Sequence, residues 1–226
     1  NGVIIKLGKR FNNISLLDEV KVIAGGNVLD RNLSEFCMEN EISGMEFLSC
    51  IPGSVGGGIR MNSGCYRREF KDILLSIQAV DFDGNIKNIS SKEIDFKYRA
   101  TNIPDDLIFL SATFIGKKKN KKLINEKIIR LKKEKEQTQP SRIKTGGSTF
   151  KNPTNKTKKK VWELIKETVP ENIKFGDAEI SKHHSNFFVN TKNAKSRDMV
   201  KLINFTKKEV RKKFNIQLDL EVVLVD

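Results

Sequence analysis

The 226-residue sequence lacks any apolar run of about eighteen residues, the shortest length that is typical of a membrane-spanning helix. Its opening, NGVIIKLGKR, also lacks the layout of a secretory signal peptide, in which a basic start precedes a longer apolar stretch and a small-residue cleavage site. The sequence therefore offers no support for a membrane span or for export, and we expect a cytoplasmic protein.

Cysteine and histidine are scarce. The three cysteines, Cys37, Cys50 and Cys65, are an odd number without C-x-x-C spacing, which is typical of reduced thiols and not of a disulfide framework or a zinc knuckle. The two histidines, His183 and His184, are adjacent, and adjacent side chains do not converge on one metal ion as a helical i, i+4 pair does. We predict no metal site.

Positive charge is what the sequence has in excess. It holds 42 Lys and Arg against 28 Asp and Glu, a formal net charge of +14, and much of the surplus lies in tracts at 116–122, 156–160 and 207–213. Dense positive charge binds phosphate, so a basic nucleic-acid-binding module is one interpretation. The tracts carry no interleaved aromatic residues, zinc-finger spacing or RNP-like motif, and we favour solvated faces with no nucleic-acid partner.

Hydrophobic spacing predicts a mixed order of strands and helices. Short β-branched segments bounded by turn residues predict strands at 2–7, 20–25, 106–116, 186–190 and 216–225. Apolar residues at helical spacing predict helices from 28 to about 44, at roughly 123–136, from 161 onward and at about 196–213. The Asp-Gly pair at 83–84 predicts a hairpin over 73–90, because such a pair tolerates the positive φ of a tight turn.

This mixed order indicates an α+β fold in two lobes. The basic tract at 117–122 is the predicted boundary, which gives lobes of 1–116 and 117–226.

The segment IPGSVGGGIRMNSG (51–64) holds five glycines in fourteen positions. Backbone without side chains can approach a ligand closely, and successive N–H groups can form a nest for phosphate oxygens. The segment matches neither the P-loop nor the dinucleotide-binding pattern, so on the residues alone an ordinary glycine-rich turn is an equal alternative.

A second short motif, TGGSTFKNP (145–153), places Ser148 behind a glycine pair. A hydrolase nucleophile elbow reads G-x-S-x-G, and here Phe150 occupies the position of its last glycine. On the bare motif, a serine that only bonds its own turn is an equal alternative to a reactive hydroxyl.

Five stretches together resemble one enzyme family. In order they are GMEFLSCIPGSVGGGIRMNSGCY (44–66), KYR (97–99), QPSRIKTGGSTFKNP (139–153), KFGDAEISKHHSNFFVN (174–190) and LDLEVVLV (218–225). The sequence resembles the MurB family, the UDP-N-acetylenolpyruvoylglucosamine reductases of peptidoglycan synthesis, and is closest to the type II form without an extra tyrosine-bearing insertion. The resemblance covers essentially the whole chain.

The resemblance implies a fold, two cofactors and a reaction. The fold is an FAD-binding lobe of the vanillyl-alcohol-oxidase-like type followed by a smaller α+β substrate-binding lobe, whose final strand is expected to return to the active site. Non-covalently bound FAD is reduced by NADPH and passes hydride to the enolpyruvyl double bond of the UDP-sugar, giving UDP-N-acetylmuramate. The resulting enolate needs positive charge to stabilise it and a proton to complete the reduction.

The resemblance also implies catalytic roles for three residues. Ser148 matches the family's proton donor, expected on a Gly-Gly turn. Arg99 matches the active-site arginine, whose planar fork suits a carboxylate or a growing enolate. Glu221 matches the terminal-strand glutamate that assists protonation or stabilises the enol. On the pattern alone, Arg99 is more typical of a surface ion pair and Glu221 of a solvent-facing acid in an alternating strand.

Ligand-binding residues follow from the same resemblance. Those implied for the flavin are Ile51, Pro52, Gly53, Ser54, Val55, Gly56, Gly57, Asn62 and Gly64. Those implied for the UDP-sugar are Asn152 and His184, with Arg142 and Lys144 as candidates for its phosphates, while His183 is predicted to be a surface residue.

Two departures from the family pattern qualify these expectations. The opening residues resemble a point well inside the family's chain, so we expect the N-terminal portion of the flavin lobe to be missing from the sequence given. Arg67 stands where a glycine commonly follows the tyrosine, which alters the exit of the glycine-rich loop. Besides a monomeric MurB-type reductase, the remaining hypotheses are another FAD oxidoreductase of the same fold, the nucleic-acid-binding module and a fragment without activity.

Overall fold

The computed structural model describes residues 3–140 and 143–225. The chain divides into two compact units, residues 1–134 and residues 135–226, each with its own hydrophobic core. Both units mix helices with antiparallel strands, which confirms the α+β fold.

The first unit is built on a five-stranded antiparallel sheet in the order β1-β2-β10-β6-β7. Its helices are α1 (Asp30–Glu39), α2 (Val55–Arg60) and α3 (Lys121–Thr138), the last of which runs past residue 134. Its strands are β1 (Ile14–Leu16), β2 (Lys21–Gly25), β3 (Ile42–Ser43), β4 (Gly64–Cys65), β5 (Arg68–Glu69), β6 (Leu74–Val80), β7 (Ile86–Ser90), β8 (Phe96–Lys97), β9 (Ala100–Thr101), β10 (Ile108–Ile115) and β11 (Lys117–Lys118).

The second unit has a four-stranded antiparallel sheet in the order β12-β15-β14-β13. Its helices are α4 (Val161–Thr168) and α5 (Ser196–Phe214). Its strands are β12 (Lys144–Ser148), β13 (Lys174–Phe175), β14 (Ala178–Ile180) and β15 (Phe187–Asn190).

The predicted helices and the hairpin form where local spacing specifies them. The spacing in α5 predicts that Met199, Ile203, Thr206 and Val210 face inward. Ile203, Thr206 and Val210 are buried, Met199 is half-buried, Leu202 is buried as well, and the Lys-rich face is exposed. The hairpin β6–β7 turns at Gly84, which has φ 88°. Asp81 braces the turn by accepting hydrogen bonds from the Asp83 and Asn85 N–H groups.

Two predicted strands are wrong. Among the described residues of 2–7, positions 3–7 form no strand, and Val3 and Ile4 are about nine-tenths exposed. A β-branched segment becomes a strand only where another strand pairs with it, which local composition does not specify. Residues 216–219 alternate between buried and exposed as predicted, but residues 223–225 are all exposed, and within the described part of the chain the segment makes only an isolated bridge, between Leu220 and Phe150.

The division between the units also differs from the expected boundary at 116/117. Helix α3 was expected to open the second lobe, but its buried residues Ile124, Ile128 and Leu131 lie within the first unit, and Leu131 belongs to that unit's core. An amphipathic helix belongs with the core that buries its apolar stripe, and charge along the chain does not reveal which core that is.

Candidate functional site

The glycine-rich segment of the first unit folds as a short loop followed by α2. The loop is anchored because the N–H of Val55 donates to the carbonyl of Val28 at 2.8 Å and the N–H of Gly56 donates to the carbonyl of Gly26 at 2.9 Å. These two N–H groups are therefore used within the protein and are not part of an anion-binding nest. Pro52, Gly53 and Gly57 are exposed, and their backbone forms the face that a ligand can approach.

One glycine of this segment is required by packing. A Cβ atom at Gly58 would lie 2.3 Å from Cε2 of Phe70, a fully buried ring at the centre of the first core. No side chain fits there without moving the ring. Gly58 thus lets the segment pack against the core, while Gly53 and Gly57 leave exposed backbone without side chains.

Asn62 is fully buried and its side chain is bonded within the protein. Its Nδ2 donates to Glu69 Oε2 at 3.0 Å and to the Lys97 carbonyl at 3.1 Å, and its Oδ1 accepts from the Lys71 N–H at 3.1 Å. Asn62 therefore ties the end of the glycine-rich segment to the turn that carries Arg99.

Arg99 lies against the same segment. Its Nη2 donates to the carbonyl of Gly64 at 2.8 Å, and its guanidinium carbon lies 4.9 Å from the centroid of the Tyr98 ring. Its backbone has φ 55°, a left-handed conformation that is uncommon for a residue with a side chain. The structure thus brings Arg99 together with Gly64, one of the residues implied for the flavin.

A buried acid lies beneath the glycine-rich loop, and sequence reasoning had no signal that would identify it. Asp30, the first residue of α1, is fully buried, and neither carboxylate oxygen has a hydrogen-bond partner among the described residues. A Cβ atom at Gly53 would lie 3.4 Å from Asp30 Oδ2. Ser34, one helical turn later, is also buried with an unpartnered hydroxyl. Burial raises the pKa of Asp30 from its ordinary 3.8 to about 7, because the charged form loses hydration without gaining a partner.

In the second unit, Ser148 is the last residue of β12. Gly147 before it has φ 83°, and a bulge interrupts the pairing of β12 with β15 between Thr145 and Ser148. Left-handed backbone at this position favours glycine. The expected Gly-Gly turn is therefore wrong, because Gly146 and Gly147 lie within β12. The bulge at these glycines changes the direction of the half-buried Ser148 side chain relative to a regular strand.

Glu221 lies beside this strand. Its N–H donates to the carbonyl of Thr149 at 2.9 Å, and the isolated bridge between Phe150 and Leu220 joins the same two segments. The backbone therefore brings Glu221 next to the residue that follows Ser148, although no terminal strand forms there.

His184 lines a cavity of about 660 Å³ in the second unit. Its ring centroid lies 4.9 Å from that of Phe187 and 6.4 Å from that of Trp162, the only tryptophan in the sequence. Burial lowers the pKa of His184, which favours the neutral imidazole. The cavity is also lined by cations, Lys166 and Lys182.

The hydrogen bonding of His184 identifies its tautomer. Its Nδ1 accepts from the Asn186 N–H at 3.2 Å, so the ring proton is on Nε2. A neutral His184 therefore offers an N–H donor from a site with an aromatic wall and nearby positive charge.

The other predicted substrate residues occupy different places. Asn152 Oδ1 accepts from the Val161 N–H at 3.1 Å, which anchors the start of α4 and hence Trp162. Lys144 is exposed on β12. His183 is exposed, as predicted, and lines the same cavity as His184. Arg142 lies outside the described residues.

Two residues of this region were missed by sequence reasoning. The sequence contained a signal for Trp162, because it is a single aromatic residue on a short amphipathic helix. In the structure, 40% of its surface is exposed. The sequence contained no signal for Asn186, since an asparagine before a strand is typical of an ordinary turn.

Residues 3–140 and 143–225 contain no group of three His, Cys, Asp or Glu side chains that could hold a metal ion. No helix in this part of the chain is both long and apolar enough to span a membrane. The three cysteines are free thiols.

Comparisons with known proteins agree with these two units. A family model for an FAD binding domain matches residues 1–90, and a model for the C-terminal domain of UDP-N-acetylenolpyruvoylglucosamine reductase matches residues 139–225. The chain is 53% identical over 225 residues to the UDP-N-acetylenolpyruvoylglucosamine reductase of Pelagibacter ubique, covering 100% of this chain and 74% of that protein. It is 44% identical over 221 residues to the Rickettsia typhi protein of the same name, covering 98% and 74%.

A solved structure gives the same likeness. The crystal structure of UDP-N-acetylenolpyruvylglucosamine reductase (MurB) from Thermus caldophilus superimposes with a TM-score of 0.81 at 28% identity. The match covers 97% of this chain and 77% of that one.

Proposed function

This chain belongs to the UDP-N-acetylenolpyruvoylglucosamine reductase (MurB) family, and from that premise we propose that Ser148, Arg99 and Glu221 carry out its chemistry. The protein is an FAD-dependent oxidoreductase of peptidoglycan synthesis that acts on a UDP-sugar. NADPH is the hydride donor of the family's reaction.

The residues of the first unit fit FAD. The exposed backbone at Gly53 and Gly57 carries no side chain that would hinder a pyrophosphate, and Arg99 places a guanidinium at Gly64. When bound, FAD would supply the hydride-transfer chemistry between NADPH and the enolpyruvyl double bond. The protein's own groups bind, orient and protonate the substrate.

Each of the three catalytic residues has a distinct role in this proposal. Arg99 binds the substrate carboxylate through its planar fork and stabilises the negative charge that develops beside it. Ser148 donates its hydroxyl proton to the enolate carbon. Glu221 assists that proton transfer, an arrangement supported by the hydrogen bond from its N–H to Thr149 at 2.9 Å. This contact is the observation that carries the proposal, since it brings two residues far apart in sequence onto adjacent segments.

The cavity around His184 fits the nucleotide part of the substrate. A half-exposed indole at Trp162 offers a stacking surface for a planar base, and Lys166 and Lys182 supply positive charge for phosphates. His184 donates from Nε2 to an oxygen of the ligand. Asn152 contributes indirectly, because it anchors the start of α4.

The substrate and NADPH are both anionic metabolites of the cell interior, and we expect the protein to act in the cytoplasm as a monomer. Sedimentation at micromolar concentration tests the second point. A stable dimer there would contradict it.

The catalytic assignment is tested by separating the two half-reactions of the FAD-loaded enzyme. In Ser148→Ala, we expect NADPH to reduce the flavin at the wild-type rate, because hydride transfer to the flavin needs no proton from Ser148. We expect oxidation of the reduced flavin by the enolpyruvyl substrate to slow by about 10²–10⁴-fold, the usual contribution of general acid catalysis.

Ser196→Ala is the matched control, because Ser196 is an exposed serine at the start of α5. It should leave both rates unchanged. Equal rates of substrate reduction in Ser148→Ala and wild type would exclude Ser148 as the proton donor. A wild-type enzyme that reduces no enolpyruvyl substrate would refute the function itself.

A further inference from the structure

The buried side chain of Asn186 grips the main chain two residues after Ser148. Its Oδ1 accepts from the Phe150 N–H at 3.0 Å, and its Nδ2 donates to the Phe150 carbonyl at 2.9 Å. Asn186 is only 3% exposed, and Phe150 is fully buried. Both polar groups of Phe150 are therefore satisfied by one amide in a place where water does not reach.

The main chain of Asn186 contacts both proposed functional segments. Its carbonyl accepts from the Thr149 N–H at 2.8 Å, next to Ser148. Its own N–H donates to His184 Nδ1 at 3.2 Å. One residue thus links the strand that carries the proposed proton donor to the imidazole that lines the cavity.

We propose that Asn186 is a positioning residue, which holds Ser148 in register and fixes His184 with its proton on Nε2, directed to an oxygen of the nucleotide ligand. The assignments of Ser148 and His184 rest on the proposed function, whereas the positioning itself does not. The "Asn186 clamp" below means the two side-chain bonds to Phe150.

The need for a clamp follows from the irregular strand. The bulge between Thr145 and Ser148 interrupts the ladder just before Ser148, whose own partner is Phe187, so the sheet holds Ser148 by pairing on one side only. Two short bonds from a buried amide just beyond the bulge restore that register. A catalytic group displaced by about 1 Å can cost about 100-fold in rate, so a modest slip of this strand has a large effect.

An amide is the group that this geometry requires. An aspartate of the same size accepts from the Phe150 N–H but cannot donate to the Phe150 carbonyl, which leaves that carbonyl unpaired beside a carboxylate. An alanine leaves both groups of Phe150 without partners. Wild type and the two variants therefore form a graded series. Wild type has both side-chain bonds to Phe150, Asn186→Asp keeps one of them, and Asn186→Ala has neither.

The first test is spectroscopic and needs no turnover. In the FAD-loaded wild type, imidazole ¹⁵N NMR should show His184 with its proton on Nε2 and an Nδ1 that accepts a hydrogen bond. The variant His183→Gln identifies the signal, because it leaves one histidine. In Asn186→Ala we expect mixed tautomers at His184, since the loosened main chain no longer fixes the N–H that Nδ1 accepts.

The second test is kinetic and uses the same protein. In Asn186→Ala, oxidation of the reduced flavin by the enolpyruvyl substrate should slow by at least tenfold and the dissociation constant of UDP should rise by at least threefold. Asn186→Asp should fall between Asn186→Ala and wild type.

The control is Val210→Ala, a truncation in the same core away from β12 and β15. It lowers the melting temperature without touching the clamp, so its rates, UDP affinity and His184 tautomer should match wild type. If Asn186→Ala does not fold, Asn186→Asp gives the same comparison with one bond kept.

The outcomes separate the two proposals. An unchanged His184 tautomer together with an unchanged oxidation rate in a folded Asn186 variant overturns the positioning role. Equal losses in Val210→Ala and Asn186→Ala also overturn it, because they show a general effect of stability. A wild-type enzyme without activity refutes the proposed function, while the tautomer measurement still decides the role of Asn186.

Discussion

Replacing Asp30 with asparagine should make the protein more stable, and increasingly so as pH rises. Asp30 is buried beneath Gly53 without a hydrogen-bond partner among residues 3–140 and 143–225, and burial raises the pKa of its carboxyl to about 7. The folded state therefore keeps the Asp30 proton up to about pH 7, whereas the unfolded chain releases it near pH 4. Between these values the folded state binds more protons than the unfolded state, so stability falls as pH rises.

The magnitude follows from the size of the shift. A rise from 3.8 to about 7 corresponds to a destabilisation of about 4 kcal/mol once both states are ionised. About 3 kcal/mol of this develops between pH 5 and pH 8. The figure is a ceiling, because rearrangement of the neighbouring chain recovers part of the lost hydration. Asn186 plays no part here, since the effect belongs to the first unit.

The assay is urea unfolding of wild type and Asp30→Asn at pH 5 and pH 8, followed by far-ultraviolet circular dichroism. The stability of Asp30→Asn relative to wild type should increase by up to about 3 kcal/mol between the two pH values. Hydrogen exchange of residues 30–39 locates the change in α1.

Ser34→Ala is the control, because it removes another buried, unpartnered polar group from the same helix but does not titrate. Its effect should be the same at both pH values. A difference between Asp30→Asn and wild type that does not change with pH would refute the reasoning, since it would mean that Asp30 has an unnoticed partner or is ionised throughout.

Two further predictions concern the first unit. Gly58→Ala should lower the free energy of unfolding by about 1–3 kcal/mol and weaken FAD retention, because the new Cβ would lie 2.3 Å from the Phe70 ring. A variant with the same urea midpoint and the same flavin absorbance as wild type would contradict this prediction. Glu46→Gln should lower the free energy of unfolding by about 1–3 kcal/mol at pH 7. Burial alone would raise the pKa of Glu46. Hydrogen bonds from Ser43 and Gly44, together with Lys127 Nζ at 3.3 Å, outweigh that effect and lower the pKa, so the ionised carboxylate is stabilised in the folded state. That loss should shrink as pH falls through the lowered pKa, where wild-type Glu46 becomes neutral too, and urea unfolding at pH 3 and pH 7 checks this.

Elements specified by local spacing could be predicted from the sequence. The hairpin at Gly84 and the stripe of Ile203 and Val210 on α5 need only a turn pair and a helical repeat. The strands expected at 2–7 and 216–225 failed because pairing depends on a partner elsewhere in the chain. The observed division into units differs from the expected boundary for the same reason, since the charge of α3 does not indicate which core buries Leu131.

The candidate site divides in a similar way. Ser148, Arg99 and Glu221 were found through resemblance, and their roles remain predictions. Asp30 and Asn186 were not found, because burial without a partner and a bidentate grip on a distant main chain are properties of the folded chain alone.

The fluorescent aromatic residues of this protein are divided between its two units. Its only tryptophan, Trp162, lies in the second unit beside His184, while its two tyrosines, Tyr66 and Tyr98, both lie in the first. Excitation at the long-wavelength edge of the protein absorption selects indole over phenol, so the emission excited there follows the second unit. Melting, urea titration or nucleotide addition can thus be followed at the second unit in unlabelled protein.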